Sequence, residues 1–318
     1  IDEWVIETAL SQVERWQTLG LHLPVSVNIG ARQLQRENFV ARLGALLAAH
    51  PHVNPGDLEI EVLETNALAD LARVSQVIEA CREIGVLCAL DDFGSGYASL
   101  TYLKRLPVVQ IKIDQSFMLD MQDDPGDLAI LSGVICLCAA FHRQVIAEGV
   151  ETLEQGEVLL QLGCELAQGY GIARPLPAED IPSWVAAWRP DPLWVDSCPV
   201  SHNALPLLFA IAAHRAWIAG VEAYLKGVRD ALPPLDSHHC SFGIWLDADG
   251  RSRHGVRPAL LAIESLHQRV HVQAAALCEL RAQGRSQEAL AGLGELHEIR
   301  DAILQELNML IQVHSDEE

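Results

Sequence analysis

Polar residues recur in this chain where short apolar runs end. Asn28 closes Val25-Ser-Val-Asn28, and Glu61 and Glu64 lie in Leu58-Glu-Ile-Glu-Val-Leu-Glu64. Asp91 and Asp92 end an apolar run and lead into Phe93-Gly-Ser-Gly-Tyr97. Lys112 interrupts Gln110-Ile-Lys-Ile-Asp114, Glu148 follows Val145-Ile-Ala147, and Gln168 precedes Gly169-Tyr170. A hard divalent cation takes several oxygen ligands, and Asn28, Glu61, Asp91 and Asp92 offer them from separate segments. Side chains alternate along a strand, so adjacent aspartates serve one site where strand gives way to loop, a break that Gly94 and Gly96 supply. Each charge alone reads more simply as a helix cap or a solvated strand end. Acids, amide, lysine and glutamine at successive ends together read as one site.

A second constellation lies further along. His214 occupies a position that the surrounding helical stripe would make apolar, and His267 does the same in the next long helix. His271 follows one turn later on the same face. Between these helices comes Cys240-Ser-Phe-Gly-Ile-Trp245. Any one of these histidines alone reads as a hydrogen-bonded core residue; three imidazoles and a thiolate suit a tetrahedral zinc site. His238 and His239 flank Cys240 and compete as ligands, but neither has helical spacing. His254 and His297 are expected to face solvent, and Cys278 to be a buried thiol.

The elements that must position these residues divide near residue 190. β-rich runs at Val25–Ile29, Leu58–Leu63, Leu87–Asp91, Val109–Ile113, Val145–Ala147 and Glu165–Gln168 alternate with helix-like segments at Val5–Leu19, Gln35–Ala49, Ala69–Ile84 and Leu128–Phe141. Such alternation predicts an α/β parallel sheet or (β/α) barrel, in which chemistry collects at the C-terminal ends of the strands. Six strands are two short of a closed barrel of that kind. Residues 189–202 read as a linker between a barrel over 1–188 and a helical bundle over 203–318. In the bundle, Leu207, Ile211, His214, Ile218, Val221, Leu225 and Val228 mark one amphipathic stripe. Leu260, Ile263, His267, Val270, Ala274 and Leu277 mark a second, and Leu293, Leu296, Ile299, Ile303, Leu307 and Leu310 a third. A short fourth element is expected between residues 236 and 250.

The formal charge of −21, from 43 acids against 22 bases, speaks against non-specific binding to a nucleic-acid polymer or membrane surface. Bound cations can still reverse the local field for a phosphate ligand. No long uninterrupted apolar run predicts a membrane span. The eight cysteines are scattered, which fits a reducing cytoplasm. Nine of the 13 histidines follow residue 200, so two chemistries share the polypeptide.

Val25-Ser-Val-Asn28 with Ala31-Arg-Gln-Leu34, Leu58-Glu-Ile-Glu61, Asp91-Asp-Phe-Gly-Ser-Gly-Tyr97, Ile111-Lys-Ile-Asp114, Ala147-Glu-Gly-Val-Glu151 and Gln168-Gly-Tyr170 resemble, in order, the motifs of the EAL phosphodiesterases. Gly30 stands where that family often has a hydroxyl residue. The family's Glu-x-Leu motif, which supplies a metal ligand, is expected upstream of Ile1. Glu288-Ala-Leu290 reads as a coincidence of helix formers. His214-x-x-Trp217, Cys240-x-x-Gly243-x-Trp245 and His267-x-x-x-His271 resemble the chemoreceptor zinc-binding domain, CZB.

The first resemblance implies an incomplete TIM-like barrel that hydrolyses cyclic di-GMP to linear pGpG in the bacterial cytoplasm. It implies two Mg²⁺ or Mn²⁺ ions, one on Asn28, Glu61 and Asp91, with Asp91 and Asp92 reaching the second. Glu148 is then the general base, Lys112 orients water and phosphate, and Gln168 assists. Glu64 would brace the Phe93–Leu100 loop. The second resemblance implies one Zn²⁺ on His214, Cys240, His267 and His271, a sensory role and a homodimer. A catalytically silent cyclic di-GMP receptor, or a zinc-responsive dimerisation module, is the alternative reading.

Overall fold

The strand segments pair in sequence order. In the computed structural model, which describes residues 1–94, 100–201, 203–254 and 257–316, six strands form one all-parallel sheet in the order β1-β2-β3-β4-β5-β6. These are β1 (Val25–Asn28), β2 (Leu58–Leu63), β3 (Leu87–Phe93), β4 (Gln110–Ile113), β5 (Gln144–Glu148) and β6 (Leu166–Gln168). The sheet curls into an open arc of a (β/α) barrel. Two compact units make up the chain, Ile1–Leu119 with Gly133–Cys198, and Asp120–Ser132 with Pro199–Glu318.

In the first unit the alternation of each strand sorts its side chains. Ile60, Val62, Cys88, Leu90 and Ile111 join one core with Ile6, Leu10, Leu43, Val77 and Ile78 of the covering helices. Each aliphatic side chain buried there is worth about 1.5–3 kcal/mol. The intervening positions, Glu59, Glu61, Asp91, Gln110 and Lys112, face the other way, into the arc, and are also buried. The strands therefore read as apolar runs punctuated by charge.

β3 departs from this alternation in one place. Its register against β4 slips between Leu90 and Phe93, and Asp92 has φ 57°. A short polar side chain tolerates that left-handed conformation better than a branched one. The slip makes Asp92 an extra residue in the strand, which returns Phe93 to the core. The expectation that the two aspartates stand at a strand-to-loop junction is thus corrected. Both lie inside β3 (Leu87–Phe93), and a bulge at Asp92 makes the break expected from Gly94, while Gly96 lies outside the described residues.

Helix boundaries shift for local reasons. The expected Gln35–Ala49 helix starts later, at Phe39, and a separate short helix, Ala31–Leu34, precedes it. The expected Ala69–Ile84 helix runs from Leu71 to Glu83, because Asp70 caps it through Oδ1, which accepts from Arg73 N at 3.0 Å. Pro192–Val195 forms a short helix whose Trp194 donates to Leu153 O at 2.8 Å.

The second unit is built on helices Leu205–Lys226, Pro258–Ala282 and Leu293–Asp316. All six residues of the second predicted stripe are buried, as are Leu296, Ile299, Ile303, Leu307 and Leu310 of the third. Val228 leaves the first stripe: the helix ends at Lys226, and Val228 is 82% exposed. The short fourth element is helix Ser241–Trp245 continued by a π-helical turn, Leu246–Gly250. Among the described residues, Leu205–Lys226 is the one helix long and apolar enough to cross a membrane, and it buries His214, Ile218, Val221 and Leu225 in this bundle.

Candidate functional site

Parallel pairing sets Asn28 beside Glu61, Leu63 beside Asp91, and Glu148 beside Gln168. These registers carry the predicted residues to one rim. Lys112 Nζ lies 2.9 Å from Glu61 Oε1, 3.3 Å from Asp91 Oδ1 and 2.6 Å from Glu148 Oε1. Gln168 Nε2 donates to the same Glu148 oxygen at 2.5 Å. Asp91, Asp92 and Glu148 offer carboxylate oxygens all within 4.8 Å of one another. Asn28, exposed at the end of β1, adds an amide on the flank nearest Glu61.

Four carboxylates around one ammonium leave the cluster net negative. Burial lifts the pKa of Glu148, helped by the charges of Asp91 and Glu61 and opposed by Lys112. Burial also lifts Asp92, and the charges of Asp91 and Asp114 add to it. Lys112 has the reverse balance. Burial disfavours its ammonium, but the bonds to Glu148 and Glu61 outweigh that and raise its pKa. Asp91 Oδ1 is buried with no aligned hydrogen-bond donor. Convergent carboxylate oxygens that outnumber the one ammonium among them fit a hard divalent cation.

Glu64, nearly fully buried, accepts from Gly94 N at 2.8 Å through Oε2. Its reach beyond Gly94 concerns the Phe93–Leu100 loop, of which residues 95–99 lie outside the described residues.

The rim opens on a cavity of 560 Å³ that draws in residues to which the sequence reading gave no role, among them Asp114, Glu151, Tyr170, Arg174 and Trp184. Asp114 had a legible signal, because it stands two residues after Lys112, one place past the end of β4. The others follow β5 and β6 and reach the cavity only through the fold.

In the second unit, Cys240, His267 and His271 are buried, with ligand atoms within 4.8 Å of one another. Cys240 Sγ is 3.3 Å from His267 Nε2. His214 stands beside this trio rather than inside it, its ring 6.1 Å from that of His267 between centroids. His271 Nδ1 donates to Leu235 O at 2.8 Å, which leaves Nε2 as its acceptor. Nε2 of His271 and both ring nitrogens of His214 are buried without a hydrogen-bond partner among the described residues. Burial, with the neighbouring histidines, pushes the pKa of His214 down to about 3, and that of His267 also to about 3. All these rings are therefore neutral, the form a metal requires.

The loop geometry supports the same reading. Cys240 caps helix Ser241–Trp245, with Gly243 N donating to Sγ at 3.2 Å. A Cβ on Gly243 would lie 1.7 Å from Ser237 O, so only glycine allows this approach. Orphaned buried imidazole nitrogens around a thiol fit zinc. The competing histidines are turned away: His238 Nδ1 and His239 Nδ1 each lie 2.7 Å from an aspartate oxygen, on Asp247 and Asp236, in the exposed layer. His297 is half-buried and faces Glu222 at 3.4 Å, which corrects its assignment to solvent. The His254 side chain lies outside the described residues, and Cys278 is buried.

Comparison with known proteins follows this division. The EAL domain model matches residues 1–175, and the chemoreceptor zinc-binding domain model matches residues 214–278. The bifunctional diguanylate cyclase/cyclic di-GMP phosphodiesterase MucR of Pseudomonas aeruginosa is 37% identical over 187 residues, 58% of this chain and 27% of that protein. Signaling protein YkoW of Bacillus subtilis is 35% identical over 185 residues, 58% of this chain and 23% of its own length. The chain thus spans well under half the length of these curated relatives. The MucR phosphodiesterase in its c-di-GMP complex superposes with a TM-score of 0.54 at 37% identity, over 56% of this chain and 72% of that one. The EAL domain of Mycobacterium smegmatis DcpA does so with a TM-score of 0.57 at 33% identity, over 60% and 86%. Strand order, rim chemistry and sequence agree, and the chain belongs to the EAL domain family, with a chemoreceptor zinc-binding domain following.

Proposed function

We propose that this protein hydrolyses cyclic di-GMP to linear pGpG. The observation that carries the reading is the Lys112 ammonium held between Glu61, Asp91 and Glu148 beside a nucleotide-sized cavity. In the reaction a water oxygen bonds to phosphorus, the P–O3′ bond breaks, and the 3′ oxygen leaves with a proton. Glu148 takes the proton from water: Lys112 and Gln168 hold its Oε1, so Oε2 remains for that transfer. Its raised pKa suits a base that must also release the proton again. Lys112 holds the carboxylates in register and offsets charge on the phosphoryl oxygens. Two Mg²⁺ or Mn²⁺ ions on Asn28, Glu61, Asp91 and Asp92 would supply the Lewis acidity for this chemistry.

The bundle holds one Zn²⁺ through His214, Cys240, His267 and His271. Four protein ligands close a zinc site to substrate, so its role is structural or regulatory. The protein acts in the cytoplasm as a homodimer; eight free cysteines are in keeping with a reducing compartment.

The test is chromatographic detection of pGpG from the full-length protein carrying this chain, with and without Mg²⁺ or Mn²⁺. Glu148→Gln should abolish the product while cyclic di-GMP still binds. Binding without metal-dependent turnover in the wild type would identify a receptor instead. Turnover of wild type and Cys240→Ala, each with and without a zinc chelator at fixed Mg²⁺, tests regulation. Equal rates in all four would confine zinc to holding the bundle together.

A further inference from the structure

At the end of β5 opposite the rim, the chain passes from helix Pro125–Ala140 into the strand through Arg143. A second cavity, of 220 Å³, opens there, where β5 and β6 begin. Its walls are largely aliphatic: Ile135 and Ala139 from the helix, Val145 from β5 and Leu166 from β6. Arg143 and Glu165 supply the charges, and Arg143 is the one cation among the described lining residues.

Arg143 is half-buried, and its Nε is shut away from water without a hydrogen-bond partner among the described residues. Burial pushes its pKa below the usual arginine value. Among the described residues the Cys138 thiol alone counters this, so Glu165, which lines the same cavity, stands too far off to pair. The Cys164 thiol is already committed, because it donates to Leu166 O at 3.3 Å. Helices Pro125–Ala140 and Leu153–Gln161 both end close before lining residues of the cavity, and helix C-termini favour a cation. That field accounts for a positive charge here but supplies no acceptor to Nε. Arginine keeps its charge at neutral pH, and a buried donor left unmet costs free energy.

We propose that this cavity binds a small monocarboxylate with an apolar body, its carboxylate bonded side-on to Nε and Nη of Arg143. A carboxylate meets the guanidinium fork with two parallel hydrogen bonds, and the aliphatic walls take the rest of the molecule. An apolar cavity of about 150 Å³ holds benzene, so 220 Å³ admits a single ring with its carboxylate. The surroundings also set the charge of the ligand. Glu165, exposed on the lining, and the two helix C-termini repel a second negative charge. A monoanion therefore fits better than phosphate or a dicarboxylate. The site lies apart from the chemistry at the rim and does not depend on it.

The probe is benzoate, titrated calorimetrically into the full-length protein carrying this chain, beside benzyl alcohol, phthalate and inorganic phosphate. Benzoate should bind most tightly of the four. Arg143→Met, which keeps the apolar stem and removes the charge, should weaken benzoate about tenfold or more. The same variant should leave the weaker binding of benzyl alcohol unchanged. Ala139 is exposed, so Ala139→Trp should fold, and its ring should block benzoate and benzyl alcohol alike while sparing Arg143. A wild type that ignores millimolar benzoate would overturn the proposal. So would an Arg143→Met protein that binds benzoate as the wild type does, or an Ala139→Trp protein with unchanged affinity. Phosphate or phthalate bound more tightly than benzoate would overturn it too, because the site would then be a general anion site.

Discussion

Lys112 Nζ and Glu148 Oε1 lie 2.6 Å apart on adjacent strands whose register pairs Lys112 with Ile146, two residues short of the glutamate. The long lysine side chain crosses that offset. It places one buried positive charge against Glu148, Glu61 and Asp91, which come from three different strands. Removing one member of such a set leaves the others buried and unpaired, which costs more than the set contributes intact.

Lys112→Met should lower stability in divalent-free buffer by about 3 kcal/mol and turnover by about a hundredfold. Added Mg²⁺ or Mn²⁺ should stabilise the variant more than the wild type, because a cation then replaces the lost ammonium. Chemical denaturation with and without metal measures this. Equal stabilisation of both proteins would mean the acids do not share one cation site.

His214→Leu should have effects of opposite sign. In chelator, removing two buried, unpartnered ring nitrogens should stabilise the bundle by about 1 kcal/mol. In zinc, the variant should lose affinity and the stabilisation that binding gives. Thermal unfolding in both conditions checks it; a variant less stable even in chelator would show that the ring is favourably packed without metal.

Gly243→Ala leaves all four proposed zinc ligands in place, yet its methyl would lie 1.7 Å from Ser237 O and displace the N–H that holds Cys240 Sγ. Zinc affinity should fall about tenfold or more, read by competition with a chromophoric chelator. An unchanged affinity would mean the Cys240 loop relaxes freely.

His50 supplies a pH test away from both sites. Its Nε2 lies 3.2 Å from Glu7 and its Nδ1 3.0 Å from Glu14. Burial opposes its charge, but the two carboxylates prevail and raise its pKa above the ordinary 6.5. A raised pKa means that the folded state holds the proton more tightly than the unfolded one. The contribution is full below pH 6.5 and disappears as pH rises through the folded value. Both glutamates are partly solvated, so it should stay below about 1 kcal/mol. Unfolding of wild type and His50→Gln between acidic and alkaline pH should converge toward the alkaline end; a constant gap would assign the effect to packing.

The sequence by itself determined the six strand segments and their alternation with helices, the stripes of the bundle and the types of residue at the strand ends. These follow from local periodicity: a polar side chain at every second position of an apolar run must face away from the covering helices, whatever the neighbours are. His214 and His267 were legible for the same reason, because each breaks an otherwise apolar stripe, and His271 by its spacing of one turn from His267. Tertiary structure decided what periodicity cannot encode. The bulge at Asp92 depends on pairing with β4, and it alone turns two adjacent aspartates toward the acid cluster of Asp91, Asp92 and Glu148. The wall of the rim cavity that carries Tyr170 and Arg174 arises where the chain after Gln168 is laid against Val150, a contact with no periodic signature. Local pattern fixes which way a side chain points, and packing between distant segments fixes what it meets there.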